Sequence, residues 1–235
     1  MSKAAVITGL ASELDCLAAA LPPDEPALRA FLACAAAEPA RAAIHADSYL
    51  ALGVKHLVSF GVCGALDPDL KPGQILLPER VITKVGWAFE ADRAWRDRLA
   101  ALAEQAGLEV SGGDLMGSDH LVAEPTEKAR LFADKGARAV DMESHMVARS
   151  ADKAEAAFVA LRVVADPTER AIPEIAQGLI APNGRPRNGL AAARLLAQPW
   201  RLPAMLELRR DFRTAMASLD QASRALADGL LIVED

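Results

Sequence analysis

The chain has 235 residues, of which 52% are hydrophobic and 25% are charged, with a formal net charge of −6 and a pI near 5.3. This hydrophobic share can fill a sizeable core and argues against intrinsic disorder. Because no linker divides the chain, we predict one domain over residues 1–235. An acidic chain has no general affinity for nucleic acid or for an anionic membrane, although a local basic patch remains open.

The N-terminal apolar stretch, Ala4–Leu10, is too short to cross a bilayer, and Glu13 and Asp15 follow it directly. We therefore expect neither a signal peptide nor a transmembrane segment. The sequence contains three cysteines, Cys16, Cys34 and Cys63. They cannot all pair within one chain and lack metal-ligand spacing, so we expect reduced thiols and a cytoplasmic protein.

Short apolar runs bounded by Gly, Pro or Asp alternate with longer runs of helical period, which predicts an α/β fold with a covered, mainly parallel or mixed sheet. The predicted strands are Ala4–Thr8, Ala30–Ala35, His56–Phe60, Gln74–Val81, Gly113–Gly117, Ala139–Asp141 and Ala157–Val164. The predicted helices are Glu13–Leu21, Ala40–Leu52, Ala91–Ala106, Thr126–Lys135, Ser144–Ala151, Leu190–Ala197 and Pro203–Asp228. Such sheets bind ligands at the carboxyl ends of their strands.

The segment VSFGVCGALDPDLKPGQILL, Val58–Leu77, predicts a strand, a Gly-x-x-Gly turn and a further strand after Pro72-Gly73. The turn contains Gly61, Val62 and Gly64, and its glycines let backbone N–H groups approach a ligand. Its spacing is neither that of a Walker A loop nor that of a dinucleotide fold, which argues against nucleoside triphosphates and dinucleotides.

In the segment AVDMESHMVA, Ala139–Ala148, the carboxylates Asp141 and Glu143 bracket Met142 as a strand gives way to a helix. One interpretation is a helix start, where the macrodipole favours acidic residues. The other is a carboxylate that accepts two hydrogen bonds from the vicinal diol of a ribose.

The apolar run Phe158–Asp166, FVALRVVAD, ends in an aspartate followed by Pro167. Asp166 is either the cap of a turn or a general acid, because a carboxyl group beside an apolar pocket has a raised pKa and can donate a proton near neutral pH. The histidines, His45, His56, His120 and His145, share no ligand spacing, so no metal site is predicted. We interpret His56 and His145 as packing or surface residues and His120, beside Asp119, as a weaker site candidate.

Taken together, five pieces in this order resemble the superfamily of purine nucleoside phosphorylases and methylthioadenosine/S-adenosylhomocysteine nucleosidases. They are Gly-Leu-x-x-Glu ending at Glu13, FGVCGALDPDLKPGQI at 60–75, GSDHLV at 117–122, VDMES at 140–144 and LRVVAD at 161–166. The resemblance covers most of residues 4–170. It implies a single three-layer α/β/α domain around a central mixed, partly barrel-like twisted sheet, and cleavage of a purine nucleoside.

Within that superfamily the chain looks most like the hopanoid-associated nucleoside phosphorylases, which remove adenine from adenosylhopane. The phrases GLASELD, VSFGVCGALDP and ADPTERAIP…GLIAPNGRPR carry this finer resemblance. It implies a small-molecule substrate with a hydrophobic 5′ group, a homo-oligomer and no cofactor, with phosphate as an alternative co-substrate.

The resemblance also implies roles for individual residues. Asp166 corresponds to the acid at purine N7, Glu143 to the carboxylate that grips the ribose and Met142 to the side chain that packs on the sugar. Leu121 and Val122 correspond to the purine-facing segment, and Glu13 to the base that activates water in nucleosidases.

The chain departs from the phosphorylases at the positions that bind phosphate. It has Val62 where relatives have serine or threonine, and Ser59 and Glu13 where many phosphorylases have arginine. This favours water as the nucleophile, unless Arg41, Arg80 or Lys84 reaches the anion.

Residues 173–203 exceed what a minimal nucleosidase needs. With Ile175, Leu179, Ile180 and Trp200 the segment is either an apolar lid over a bulky 5′ substituent or an ordered surface connection or subunit contact. A helix over residues 203–228 closes the chain. A methylthioadenosine/S-adenosylhomocysteine nucleosidase, a non-catalytic nucleoside sensor and an unrelated α/β transferase remain as alternative functions.

Overall fold

The computed structural model describes residues 2–22 and 26–233. The strands are β1 (Ser2–Lys3), β2 (Ala5–Thr8), β3 (Leu32–Cys34), β4 (His56–Ala65), β5 (Ile75–Leu76), β6 (Arg80–Thr83), β7 (Ala88–Glu90), β8 (Val110–Ser111), β9 (Asp114–Gly117), β10 (Ala139–Asp141), β11 (Ala157–Asp166) and β12 (Ile232–Val233). The α-helices are α1 (Ala11–Ala20), α2 (Pro39–Ala51), α3 (Arg93–Gln105), α4 (Pro125–Lys135), α5 (Ser144–Lys153), α6 (Asn188–Ala197) and α7 (Leu202–Leu231). Short 3₁₀ helices cover Pro26–Phe31, Glu174–Ala176 and Pro199–Arg201.

The centre of the fold is a mixed sheet of ten strands that branches at β4. One edge of β4 pairs with the parallel strand β11 along nearly its whole length. The other edge pairs first with the parallel strand β2 and then with the antiparallel strand β10. Beyond β10 follow β9, β6 and β7, beyond β11 follow β5 and β8, and β3 lies beside β2.

Helices cover both faces of this sheet, as the alternation of side chains along β11 shows. The odd-numbered residues of Val159–Val163 pack in one core with α1, α3 and α7. The even-numbered apolar residues of Phe158–Val164 pack in a second core with α2 and α5. Because successive strand residues point to opposite faces, both faces of β11 are buried. The predicted three-layer α/β/α fold class is confirmed.

The branch leaves a gap on one edge of β4. Thr8, the last residue of β2, lies opposite Phe60, whereas pairing with β10 begins only at Gly64. The edge of residues 61–63 is therefore unpaired by either strand. The carboxyl ends of β2, β10 and β11 all lie beside this gap, since Asp166 also pairs with Gly64.

Two predictions about the middle of the chain are wrong. Residues Gly61–Gly64 form no turn, because they continue β4, which pairs with β11 as far as Gly64 with one shift of register after Cys63. The predicted strand Gln74–Val81 is divided into β5 and β6, which have different neighbours: β5 pairs with β11, and β6 pairs with β9. The short strands β1, β7, β8 and β12 carry no pattern long enough to predict them.

The helical predictions lie within three residues of the observed bounds. Helix α1 begins at Ala11 rather than Glu13, and α7 extends three residues beyond Asp228. Residues Ala30 and Phe31 belong to a 3₁₀ helix rather than to the predicted strand Ala30–Ala35. Within residues 2–22 and 26–233, no helix is long and apolar enough to cross a membrane.

Candidate active site

Glu13 fills the gap on the edge of β4. It is the third residue of α1 and is almost fully buried. One carboxylate oxygen accepts the backbone N–H of Val62 at 2.8 Å, and the other accepts the N–H of Leu10 at 2.7 Å. The carboxylate thus accepts the β4 hydrogen bond that a neighbouring strand would otherwise accept, and it also caps the start of α1. Burial raises the pKa of Glu13 above its usual range, against the opposing effect of Arg162 and these N–H donors.

Gly61 is the residue that makes room for Glu13. A Cβ atom on Gly61 would lie 2.5 Å from the carboxyl carbon of Glu13, and its backbone φ is +152°. Both facts favour glycine at this position.

Arg162 lies beneath the gap and holds a cluster of buried polar groups. It projects from the centre of β11 among the apolar residues of the α5 face and is fully buried. Its guanidinium forms an ion pair with Asp141 and donates hydrogen bonds to the hydroxyl oxygens of Ser59 and Ser144. The Ser144 hydroxyl also donates to Asp141 at 2.6 Å. This network fixes the start of α5 against the sheet.

Glu143 lies at the start of α5 and shares the field of the same arginine. Its carboxylate oxygen is 3.8 Å from the Arg162 guanidinium. Burial, together with the nearby carboxylates Asp141 and Glu13, raises the pKa of Glu143 to about 8 despite the opposing charge of Arg162. A Cβ atom on Gly9 would lie 2.8 Å from a Glu143 oxygen, so Gly9 leaves the space that this carboxyl occupies.

Asp166 ends β11 and is held by a lysine from α4. The ammonium of Lys128 is fully buried and lies 2.5 Å from the Oδ2 atom of Asp166. It also donates to the carbonyl oxygens of Pro167 at 3.0 Å and Arg170 at 2.9 Å. Burial raises the pKa of Asp166, and Lys128 opposes that shift. Among the described residues, no cation pairs with Oδ1.

A single cavity brings most of the predicted site residues together. It is lined by Glu13, Val62, Gly64, Leu121, Val122, Met142, Glu143 and Asp166, and also by Gly9, Leu10, Ala37, Cys63, His120, Val140, Asp141, Ala165 and Ile172. Gly61 lies behind Glu13 rather than on the cavity wall. Within residues 2–22 and 26–233, no three His, Cys, Asp or Glu side chains are grouped so that they could hold a metal ion.

Sequence reasoning gave no role to Arg162 and Lys128. A signal for Arg162 existed, because a charged residue inside the apolar run FVALRVVAD must be paired where it is buried. Lys128 lies three residues before Leu131, on the buried face of α4, and only the fold brings it to Asp166. Ser59 faces Arg162 and Ser144 in the interior and does not line the cavity.

None of the cations considered for phosphate lines the cavity. Arg41 donates to the carbonyl oxygen of Pro182, Arg80 pairs with Asp114 at the surface, and Lys84 is exposed. The cavity residues include no Arg or Lys within the described parts of the chain. Of the histidines, His120 lines the cavity, whereas His145 is buried and lies 3.1 Å from Asp119.

The segment 173–203 meets the site only at its rim. Ile172, just before it, lines the cavity and donates its N–H to the carbonyl oxygen of Ala123. Near the middle of the segment the carbonyl of Gly184 accepts the N–H of Ala11, at the start of α1. Ile175 is buried and Trp200 is exposed, and neither these two residues nor Leu179 and Ile180 line the cavity.

Comparison with known protein families identifies a match over most of the chain. The profile of the phosphorylase superfamily matches residues 28–177. Among curated proteins, a DeoD-type purine nucleoside phosphorylase of Caldanaerobacter subterraneus subsp. tengcongensis is 29% identical over 102 residues. That match covers 39% of this chain and 44% of the relative, so it spans less than half of either protein.

Solved structures show the same fold at low sequence identity. A 5′-methylthioadenosine/S-adenosylhomocysteine nucleosidase from Neisseria meningitidis, in complex with methylthio-immucillin-A, superimposes with a TM-score of 0.70 at 16% identity, covering 97% of this chain and 100% of that one. A futalosine hydrolase of Helicobacter pylori superimposes with a TM-score of 0.65 at 15% identity, covering 94% and 97% of the two chains.

The packing at Gly61 gives a test of the site's architecture. We expect Gly61→Ala to lower the free energy of unfolding by about 1–3 kcal/mol, because the added methyl group displaces Glu13 and strains the backbone. Thermal unfolding followed by circular dichroism measures this effect. Gly189→Ala is the control, since apart from its chain neighbours and its own helix backbone no atom of residues 2–22 and 26–233 lies within 4 Å of its Cβ position. Equal melting temperatures for the two variants would contradict the packing described for Glu13.

Proposed function

The chain belongs to the phosphorylase superfamily, and from this premise we propose that it cleaves the N-glycosidic bond of a purine nucleoside and releases adenine. One observation carries the proposal: Glu13 in α1, Glu143 at the start of α5 and Asp166 at the end of β11 line one cavity. Their partners differ, since Glu13 is bound by backbone N–H groups, Glu143 lies near Arg162 and Asp166 is bound by Lys128. Different partners suit three different roles.

Asp166 is the group that protonates the leaving purine at N7. Its raised pKa favours the protonated acid, which the reaction requires at the start. As the proton moves to the purine, a carboxylate forms beside the ammonium of Lys128, which stabilises the developing charge without moving. The apolar residues Leu121, Val122 and Ile172 line the same cavity and can contact the purine.

Glu143 and Met142 hold the ribose. A vicinal diol donates two hydrogen bonds to a carboxylate, and such bonds favour its ionised form. They therefore act against the burial that raises the pKa of Glu143 to about 8. The carboxylate then lies close to the sugar as positive charge develops on it. Met142, the neighbouring residue, contributes apolar contact with the sugar.

Water is the nucleophile we propose, with Glu13 as the base that activates it. Each Glu13 oxygen accepts one backbone N–H, and a carboxylate oxygen has a further lone pair for a water. A phosphate dianion would instead meet Glu13, Glu143 and Asp141 without an arginine or lysine on the cavity wall.

For the substrate's 5′ group we propose a large hydrocarbon, as in adenosylhopane. The support is the sequence resemblance to the hopanoid-associated enzymes and the exposed Leu121 on the wall of the cavity. A methylthioadenosine or S-adenosylhomocysteine nucleosidase is the alternative, since a solved relative of the same fold carries that name.

The role of Asp166 can be tested by substitution. We expect Asp166→Asn to lower turnover on adenine nucleosides by at least about 10²-fold, because the amide cannot donate the acid's proton while it still accepts from Lys128. Adenine release and nucleoside affinity are the measurements, and affinity should stay within about tenfold. Asp67→Asn is the matched control, because Asp67 is also buried and paired, 2.8 Å from Arg138, but does not line the cavity. Near-normal turnover in Asp166→Asn would remove its assignment as the acid.

The nucleophile is tested by the dependence of the rate on phosphate. We expect adenine release to proceed in phosphate-free buffer, to be unchanged by millimolar phosphate and to yield free sugar by mass spectrometry. Glu13→Gln should lower the rate by about 10²-fold or more, because the amide cannot take a proton from water. A ribose-1-phosphate product and no rate without phosphate would show that phosphate is the nucleophile, while leaving Asp166 and Glu143 in place.

The 5′ group is tested by a substrate panel. If a hydrocarbon is bound, the specificity constant should be higher for adenosine with a 5′ alkyl chain than for adenosine itself. Each buried methylene should lower the activation free energy that kcat/KM reports by up to about 0.8 kcal/mol. Methylthioadenosine, S-adenosylhomocysteine and adenosylhopane complete the panel. Equal values for adenosine and the alkyl analogue would exclude a hydrocarbon subsite, and no adenine from any of them would favour a sensor.

A further inference from the structure

The surface formed by α6, the 3₁₀ helix Pro199–Arg201 and the first turns of α7 is apolar and uncovered. Helix α6 has the sequence NGLAAARLLA, yet it contains no buried residue. Leu196 is 84% exposed, Trp200 is 69% exposed and Leu206 is 53% exposed. A helix this apolar normally packs against a core, so an unburied one indicates that something outside the described chain covers it.

Arginines border these apolar side chains. Residues 185–213 contain seven arginines and two acidic residues, in a chain whose net charge is −6. Along the exposed face of α7, Leu202 and Leu206 are followed at helical spacing by Arg209 and Arg213. Leu206, Arg209 and Arg213 line one surface groove.

Most of this positive charge is not neutralised by the protein. The two acidic residues, Glu207 and Asp211, are both paired with Arg170. Arg201, Arg209 and Arg213 have no ion pair within residues 2–22 and 26–233. We call Leu196, Trp200, Arg201, Leu202, Leu206, Arg209 and Arg213 the apolar–basic patch.

We propose that the apolar–basic patch docks this protein reversibly on the surface of an anionic lipid bilayer. Exposed Leu and Trp beside unpaired arginines match an interface with apolar chains below and negative headgroups above. A second copy of the chain fits less well, because a two-fold contact through this patch would bring arginines against arginines. A nucleic acid would use the arginines but would leave the leucines unexplained.

The patch is connected to the candidate active site. Arg170, four residues after Asp166, binds Glu207 and Asp211 at the start of α7, and its carbonyl accepts from Lys128. Docking would therefore place the site's rim close to the bilayer. An amphiphilic nucleoside resident in the bilayer would then be within reach, a consequence that rests on the proposed function, whereas docking itself does not.

Flotation with lipid vesicles tests the proposal. The full chain should float with vesicles that contain phosphatidylglycerol and remain unbound with pure phosphatidylcholine, and added salt should weaken its binding. Two double variants should each lower the binding constant at least about tenfold: Leu196→Ser/Trp200→Ser, which removes apolar contact, and Arg209→Glu/Arg213→Glu, which removes positive charge. For the second, each basic residue near the surface contributes about fivefold. Cleavage of a water-soluble adenine nucleoside should not change in these variants.

Matched controls separate docking from general effects of exposed residues and of charge. Leu52→Ser/Val85→Ser removes apolar side chains that are 81% and 79% exposed elsewhere, and it should leave flotation unchanged. Arg130→Glu/Lys153→Glu makes the same change in net charge on other helices and should lower binding less than Arg209→Glu/Arg213→Glu. Absence of flotation by the parent overturns the proposal, as does equal flotation by all variants. It is also overturned if light scattering finds a dimer that Leu196→Ser/Trp200→Ser dissociates and the parent does not float.

Discussion

The buried guanidinium of Arg162 constrains the rest of the site, because an arginine does not lose its charge and must be paired where water is excluded. Asp141 supplies the ion pair, and Ser59 and Ser144 supply hydroxyl acceptors. Since Arg162 comes from the middle of β11 and Asp141 ends β10, the pair holds the end of β10 against the centre of β11. Its charge also lowers the pKa of both Glu13 and Glu143 against the larger effect of burial. One residue thus serves the fold and the electrostatics of the cavity.

The glycines near the cavity make room for its carboxyl groups, a role that their spacing in the sequence does not indicate. Gly61 and Gly64 suggested a turn, yet both lie within β4. Each gives space to a carboxyl group: Gly61 to Glu13 and Gly64 to Asp166, as Gly9 does to Glu143. The strand continues because β11 pairs with it on one edge, while Glu13 satisfies Val62 on the other. A local pattern cannot show a partner that comes from 49 residues away.

What the sequence predicted well are the residues at strand ends. Asp166 and Asp141 both end buried strands. Both could be predicted, because a short apolar run followed by an acidic residue indicates the point where a strand leaves the core. Lys128 was missed because periodicity places it on a helix but does not say what that helix covers. The division of Gln74–Val81 was missed for the same reason, since β5 and β6 are distinguished only by their neighbours.

Lys128 and Arg170 connect the chemistry at Asp166 to the surface of α7. Burial raises the pKa of Asp166 and so favours the protonated acid, whereas the ammonium of Lys128 lowers it and favours the carboxylate, so the two effects oppose each other. This balance suits an acid that must first hold a proton and then lose it. It depends on the position of the ammonium, which the carbonyls of Pro167 and Arg170 help to fix. Because the Arg170 side chain is bound to Glu207 and Asp211, a contact that moves the start of α7 would also move the carbonyl that orients Lys128. The surface that we propose as a membrane contact is therefore linked, through two side chains, to the group that we propose as the acid.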